Sequence, residues 1–336
     1  MEIMIRKSQP TPSDVHVNAP LTNISIAFLQ SADAFIADQV FPNIPVGKQS
    51  DRYYTYDRGM FNRDEMAKRA PGTESAGVEY TVDNTPTYYC DVWSLHHDIP
   101  DERRANADSV IRPDREATEL LTHKNLIKKE SEFVSTFFTT SVWTTDVAGV
   151  AATPTAAQFI FWSDGTNGTP IEDIEAAKIV VGASTGFEPN TLVLGREAWS
   201  TLKNHPDIVD RIKYGQTAPG PAIVSLNTVA QVFELDRILV SRSISNTAAE
   251  GVANVHAYIA GDNALLCYVT PTPGLMTPSA GYTFSWNGFL GAAAAGQRMS
   301  KMRVPLKKAD RVEIEAAWDQ KVIAADLGYF FSNVSA

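Results

Sequence analysis

The segment Gly182-Ala183-Ser184-Thr185-Gly186 matches the G-x-S-x-G spacing of serine hydrolases, and Asp207, Asp210 and His256 follow it in the order Ser, Asp, His. Acyl transfer of that kind needs a hydroxyl activated by an imidazole, which a carboxylate in turn orients. The motif works only on a sharp turn from a strand into a helix. Here Thr169-Pro170-Ile171-Glu172 reads as a capping-box start with proline at the first helical position. A helix therefore precedes Ser184, and Phe187-Glu188-Pro189-Asn190 follows it as a turn. Gly182 and Gly186 read as helix-stop and turn residues, and no catalysis is expected at Ser184.

His96, His97 and Asp98 are adjacent, with Cys90 and His123 elsewhere in the same half of the chain. Neighbouring residues on a strand point to opposite faces, so one metal ion cannot easily use both histidines. These residues read as ordinary polar groups where an extended segment joins the body. The chain has no G-x-x-x-x-G-K-[ST] phosphate loop, no G-x-G-x-x-G fingerprint and no H-E-x-x-H motif. Three Asn-x-Ser/Thr triplets, at 23–25, 167–169 and 333–335, matter only in a secreted protein. No catalytic, cofactor-binding or metal-binding residue is assigned.

Composition narrows the remaining classes. The 336 residues carry 29 Lys and Arg against 39 Asp and Glu, a net charge of −10. Such a balance leaves no broad basic surface for wrapping nucleic acid, but suits a wall that repels packed nucleic acid. No apolar run approaches the roughly 20 residues of a membrane helix, and no secretory signal pattern opens the chain. Cys90 and Cys267 lack CxxC companions and read as two reduced thiols in preference to one disulfide. Charge is also uneven: residues 51–100 hold fourteen charged side chains, whereas 251–300 hold only Asp262 and Arg298. The charge-poor stretch reads as buried strand and small-residue packing, or as a surface that other subunits cover.

The elements that must position these residues fall into a distinctive order. Residues 1–50 are broken by Pro10, Pro12, Pro20, Pro42 and Pro45, and only Ile24 to Val40 has helix-compatible spacing. This arm has too little core to stand alone and must lie on the body or on a neighbour. Residues 51–96 read as a long hairpin, with an aromatic first arm at 52–56 and an alternating return arm at Val78, Tyr80 and Val82. Its tip, about 58–77, is polar and turns at Pro71-Gly72. A two-stranded ribbon is marginal in water, so this one is expected to lie on a neighbour, another copy of the chain in preference to water.

From Pro113 to about Thr139, apolar positions recur at three, four and seven residues and predict a helix of about 40 Å. Beyond a loop-rich crossing, helices and strands alternate from about 170 to 290: helix to Gly182, strand 191–195, helix 196–204, helix 224–233, strand 237–241. Strand pattern then returns, with Val312, Ile314 and Ala316 on one face.

In this order, and in several local phrases, the chain resembles the major capsid proteins of tailed bacteriophages, which have the Hong Kong 97 fold. The phrases are Arg-Ala-Pro-Gly-Thr-Glu (69–74), Asp-Ile-Pro-Asp-Glu (98–102), Pro-Asn-Thr-Leu-Val-Leu-Gly (189–195) and Ser-Ala-Gly-Tyr-Thr-Phe-Ser-Trp (279–286). They are dispersed over nearly the whole chain.

The resemblance implies an α+β fold with an N-terminal arm (1–50), an extended loop (51–96), a peripheral domain and an axial domain. The peripheral domain would comprise 97–169 and 291–336 with a spine helix at 113–139, and the axial domain 170–290. It also implies hexamers and pentamers tiling an icosahedral shell around double-stranded DNA, which the inner face would touch non-specifically. The shell would be a virion component made in the host bacterial cytoplasm. Expected partners are the chain itself, a portal, a separate scaffolding protein and a cement or decoration protein. The scaffold is expected to be separate because only about fifty residues precede the hairpin. Arg63, Asp64, Glu65, Lys68 and Arg69 at the loop tip are candidates for ion pairs between subunits, with solvated charges as the alternative. The namesake shell links a loop lysine covalently to an asparagine; Lys68 lies in the matching region, but no asparagine partner is identifiable. An encapsulin-type compartment of the same fold is the alternative to a phage head.

Overall fold

The computed structural model describes residues 29–107, 111–215, 224–274, 276–291 and 296–336. Residues 29–46 run along the body as a 3-10 turn at Ala32–Ala34, helix α1 (Ala37–Val40) and strand β1 (Asn43–Val46). The extended loop rises through β2 (Ser50–Arg52), β3 (Thr55–Tyr56) and α2 (Arg58–Phe61). It returns through β4 (Val82–Asp83) and β5 (Thr87–Tyr89) into β6 (Asp91–Pro100). Helix α3 (Asp101–Asn106) and the long helix α4 (Pro113–Phe137) follow, then β7 (Thr145–Val150) and β8 (Gln158–Ile160). Next come α5 (Pro170–Thr185), β9 (Thr191–Gly195), α6 (Arg196–Asn204), α7 (Pro206–Gly215), α8 (Leu226–Val232) and β10 (Arg237–Ser241). A ribbon of β11 (Ile244–Asn246) and β12 (His256–Tyr258) precedes β13 (Ala264–Cys267), β14 (Gly281–Trp286) and α9 (Asn287–Leu290). The chain closes with β15 (Gln297–Val304), β16 (Ala309–Val322) and β17 (Gly328–Ser332).

Two sheets organise these elements. One has the order β10-β9-β13-β17-β7-β8. Every residue of β9 and β13 is buried, which is why Leu192–Leu194 and Ala264–Cys267 read as apolar runs without alternation. Leu192, Leu194 and Leu266 point into a core shared with α5–α8, while Val193, Leu265 and Cys267 pack against Phe133 and Phe137 of α4. Helices thus cover one face, and the end of the long helix with the arm covers the other. In the second sheet, β16 is the centre: β15 and β6 flank its first half, and β14 carries β1 on its far side. Ile99, Ala117, Leu121, Val312 and Ile314 form the core between this sheet and α4.

Several expectations need correction. The sheets do not divide at residues 170 and 290. Strands at 145–160 and 328–332 join the sheet of β9, whereas 281–286 pairs with β16. Sequence order cannot reveal such exchanges, because strand pairing is decided by which faces are buried. The extended loop is not a continuous ladder either. Only β2–β5 and β3–β4 pair, while Val78 and Tyr80 lie outside any strand. Among the described residues, that segment has no covering face to stabilise a ladder. Thr169 makes no side-chain cap, and α5 runs through Gly182 to stop at Gly186, whose φ of +77° suits glycine. Helix α7 was not anticipated, since Pro206 reads equally as a helix breaker and as a first-turn residue. The long helix ends at Phe137, two residues before its expected limit. Of the charge-poor stretch, β13 is buried and β12 exposed, and residues 292–295 lie outside the described residues.

Candidate assembly surfaces

The motif residues that suggested chemistry are dispersed. Ser184 lies in the last turn of α5 and donates its hydroxyl hydrogen bond to the Val181 carbonyl at 3.0 Å. The end of α5 leads into the start of β9, whereas His256 sits in the ribbon beyond the end of the parallel strand β10. Five strand residues, roughly 17 Å, separate those two ends of the sheet. Asp207 lies at the start of α7, where its backbone N–H donates to His205 Nδ1 at 3.3 Å, and Asp210 is exposed. No nucleophile elbow is formed.

The histidine pair splits across β6 as strand geometry requires. His96 stands opposite Glu313 and His97 opposite Val312, and burial lowers the pKa of His97. Asp98 accepts from Arg311 Nε at 2.7 Å and from Lys307 Nζ at 2.7 Å, which holds its carboxyl far below the usual range. It is an ion-pair anchor. His123 meets Phe35 edge-on at 5.9 Å. Cys90 and Cys267 are buried free thiols, each pushed up to about 12 by burial. Among the described residues no group of three or more His, Cys, Asp or Glu is placed to hold a metal ion.

What the structure does build are junctions. The first is an arm clasp centred on Glu130 of α4, which is fully buried. Its Oε2 accepts the backbone N–H groups of Ile36 and Ala37, both at 2.9 Å. Its Oε1 accepts the hydroxyls of Ser241 at 2.7 Å and Ser243 at 3.4 Å. One carboxylate therefore joins the arm, the long helix and the end of β10. Burial raises its pKa, and these four donors oppose the rise. Around it, Gln30 exchanges two hydrogen bonds with the backbone of Ile244, and Lys129 pairs with Asp38. Phe41 packs edge-on against Phe133 at 5.1 Å. A Cβ on Gly281 would lie 2.4 Å from the Phe41 ring, so only glycine lets the arm seat there. Sequence reading missed Glu130. A lone glutamate on a helix reads as solvated, and its partners lie about a hundred residues away on either side.

The second junction is a charged corner where α3, the start of α4, β15 and β16 meet. Arg303 reaches Asp101 at 2.6 Å and Asp310 at 3.1 Å, while Arg104 bridges Asp310 at 2.7 Å and Asp114 at 2.8 Å. Lys301 adds Asp114 at 3.1 Å. Arg303 and Arg104 hold the Asp310 carboxyl below its ordinary range.

The third is the loop. At its base Tyr88 stacks on Phe284 at 4.7 Å, and the Tyr89 N–H donates to Asp319 at 2.8 Å. Burial raises the Asp319 pKa. Farther out, Arg58 donates to Asp326 at 2.9 Å, and Asp326 also accepts from Thr144 at 2.7 Å. Beyond that the loop is uncovered. Tyr56, Phe61 and Tyr80 form a triangle of rings about 6 Å apart, and Phe61 and Tyr80 are 52% and 64% exposed. The sequence-selected residues Arg63, Asp64, Glu65, Lys68 and Arg69 are all exposed at the tip. Arg63 pairs with Glu65 at 3.4 Å, and Asp64, Lys68 and Arg69 have no ion pair among the described residues.

Comparison with known proteins gives a consistent picture. No protein-family model matches the chain. It is 27% identical over 322 residues to the major capsid protein of Pseudomonas phage JBD67, covering 95% of this chain and 97% of that one. It is 23% identical over 334 residues to the major capsid protein of Burkholderia phage BcepMu, with the same coverage, 95% and 97%. Among solved structures, a phage-related protein from Bordetella bronchiseptica superposes with a TM-score of 0.66 at 21% identity, covering 91% of this chain and 93% of that one. The capsid of cyanophage P-SCSP1u gives 0.58 at 13% identity, covering 92% and 90%. An encapsulin from Synechococcus elongatus PCC 7942 gives 0.57 at 13% identity, covering 94% and 95%. At these identities the solved structures establish a shared fold.

Proposed function

We infer that this chain, which has the Hong Kong 97-type capsid fold and resembles phage major capsid proteins along nearly its whole length, is the major capsid subunit of a tailed bacteriophage. Hexamers and pentamers of it would tile an icosahedral shell around double-stranded DNA. The observation that carries this reading is the loop: a projecting segment with an aromatic triangle that its own chain leaves open to water. Soluble monomers seldom expose such clusters, whereas a neighbour lying under the loop would bury them at every repeat of the lattice. Arg63, Asp64, Glu65, Lys68 and Arg69 would then pair across subunits.

In this reading the peripheral unit consists of α4 with the sheet of β16, and the axial unit is the sheet of β9 with α5–α8. The spine joins them through the Glu130 clasp. A portal and a separate scaffolding protein would be partners of such a shell, a cement or decoration protein an optional one, and packaged DNA would meet the inner face without sequence readout. The encapsulin neighbour keeps a cargo compartment as the second reading; the two whole-length phage relatives favour the head. Negative-stain electron microscopy of the purified chain, alone and with its neighbouring gene products, tests the proposal. Closed shells, or rings of five or six subunits, are expected. Uniform small particles under every condition would overturn it.

A further inference from the structure

Helix α5 is apolar on two sides. Ile174, Ala177 and Val181 enter the core, while Ala176, Ile179, Val180 and Ala183 face solvent and continue to Phe187 beyond the helix end. Ile179 is 63% exposed. Spacings of three, four and seven residues make this a continuous stripe, the pattern of a helix with a second partner. Glu172 borders it at one end and Glu188 at the other, neither with an ion pair among the described residues.

The opposite flank of the same helical layer carries a feature of complementary kind. Tyr214, in the last turn of α7, is 80% exposed, and Lys213 lies 5.7 Å from its ring. Arg211 and Lys213 are exposed without ion pairs among the described residues, while Asp207 and Asp210 lie in the preceding turns, so basic charge is concentrated at the helix end. An exposed tyrosine with cations one and three residues before it has the composition of an interface anchor. Within one chain the two flanks are held apart. Lys178 of α5 donates to the Phe233 carbonyl at the end of α8 at 3.2 Å, and α7 packs on α6 and α8.

We propose that the α5 stripe of one copy receives the Tyr214 end of α7 from the next copy, with Arg211 and Lys213 facing Glu172 and Glu188. The contact joins two different surfaces, so it propagates head to tail and closes into a ring when the rotation permits. It rests on the capsid reading above and names which faces meet within a five- or six-membered ring. Small Ala176 and Ala183 bracket Ile179 and Val180 and leave the relief that a ring can fill.

Paired cysteine variants test it. Chains carrying Ile179→Cys are mixed with chains carrying Tyr214→Cys, assembled and oxidised with diamide; the native thiols are buried. Disulfide-linked dimers are expected only in the mixture, and a chain with both changes should give a ladder reaching five or six. Absence of the mixed dimer from assembled particles would overturn the proposal, as would dimers in either single variant alone. If a cysteine variant fails to assemble, charge exchange decides. Arg211→Glu with Lys213→Glu should reduce particle yield at least tenfold, and Glu172→Lys with Glu188→Lys in the same chain should restore it; no rescue would overturn the proposal. Unaltered protein is imaged in parallel. If it never forms rings or shells, the capsid reading itself fails; if it does, failure of the variants falls on the α5–α7 contact alone.

Discussion

The arm and the extended loop start alike and end differently. Each is a proline- or turn-rich segment with too few apolar residues to form a core of its own. The arm from residue 30 to 46 is fixed at every few residues: by Gln30 on Ile244, by Glu130 on two amides, by Phe41 on Phe133, and by parallel pairing of β1 with β14. Val40 and Phe41 are fully buried, which stabilises by about 1.5–3 kcal/mol each. The loop is fixed only at its base and at Arg58, and beyond that its rings touch one another and water. The difference teaches where each segment finds its stability: the arm finds it in its own chain, whereas the loop, in the capsid reading proposed above, would find it in a neighbour.

The sharpest way to break that contrast is to remove the loop. Deleting residues 58–77 should leave the thermal unfolding midpoint within a few degrees of the intact chain, because no side chain in that span is buried. Shell formation should be lost altogether. Normal shells from the deletion variant, seen by electron microscopy, would end the claim that the loop works between subunits.

The corresponding test of the arm is Glu130→Ala. It leaves two amides and two hydroxyls without their acceptor in a fully buried site, a loss of about 3 kcal/mol. Glu130→Gln keeps one carbonyl acceptor and should lose roughly half as much. The pH dependence has a definite sign. Burial raises the folded pKa of Glu130, so the folded state binds the proton more tightly than the unfolded one. Stability from this group is therefore present below the ordinary glutamate range and lost as pH rises through the raised folded value. Chemical denaturation at several pH values should show that slope in the parent and not in Glu130→Gln; equal slopes would exclude Glu130 as its source.

How legible this was in the sequence follows the same division. Strand β9 and the alternation of β16 were readable, because burial on both faces, or on one, leaves a local signature in Thr191–Gly195 and in Val312, Ile314 and Ala316. The long helix was readable from its repeat. The exchange of strands between sheets was not, since Phe330 and Phe331 of β17 carry no mark of whether β13 or β16 will be their neighbour. Glu130 was illegible for a related reason: its four donors come from two segments remote in sequence. The tip residues Arg63, Asp64, Glu65, Lys68 and Arg69 were picked out by charge, which marks exposure in one chain and carries no mark of what would cover them.

Two smaller changes test where along the loop its own chain loses hold. At the base, Asp319→Ala removes the acceptor of the Tyr89 N–H and should cost about 1 kcal/mol. Tyr88 and Tyr53 still stack on Phe284, so the base should stay in place. Farther out, Arg58→Ala removes an ion pair to Asp326 whose two side chains are both well exposed. Exposed pairs of this kind contribute about 0.2–1 kcal/mol, and Thr144 still satisfies Asp326. The stability change should fall near the lower end of that range, but hydrogen exchange from Gly59 to Phe61 should quicken, because among the described residues no other ion pair or hydrogen bond ties α2 to the body. Unchanged exchange would mean that the aromatic triangle alone holds the loop, and would move the boundary between self-supported and neighbour-supported structure outward to Tyr80.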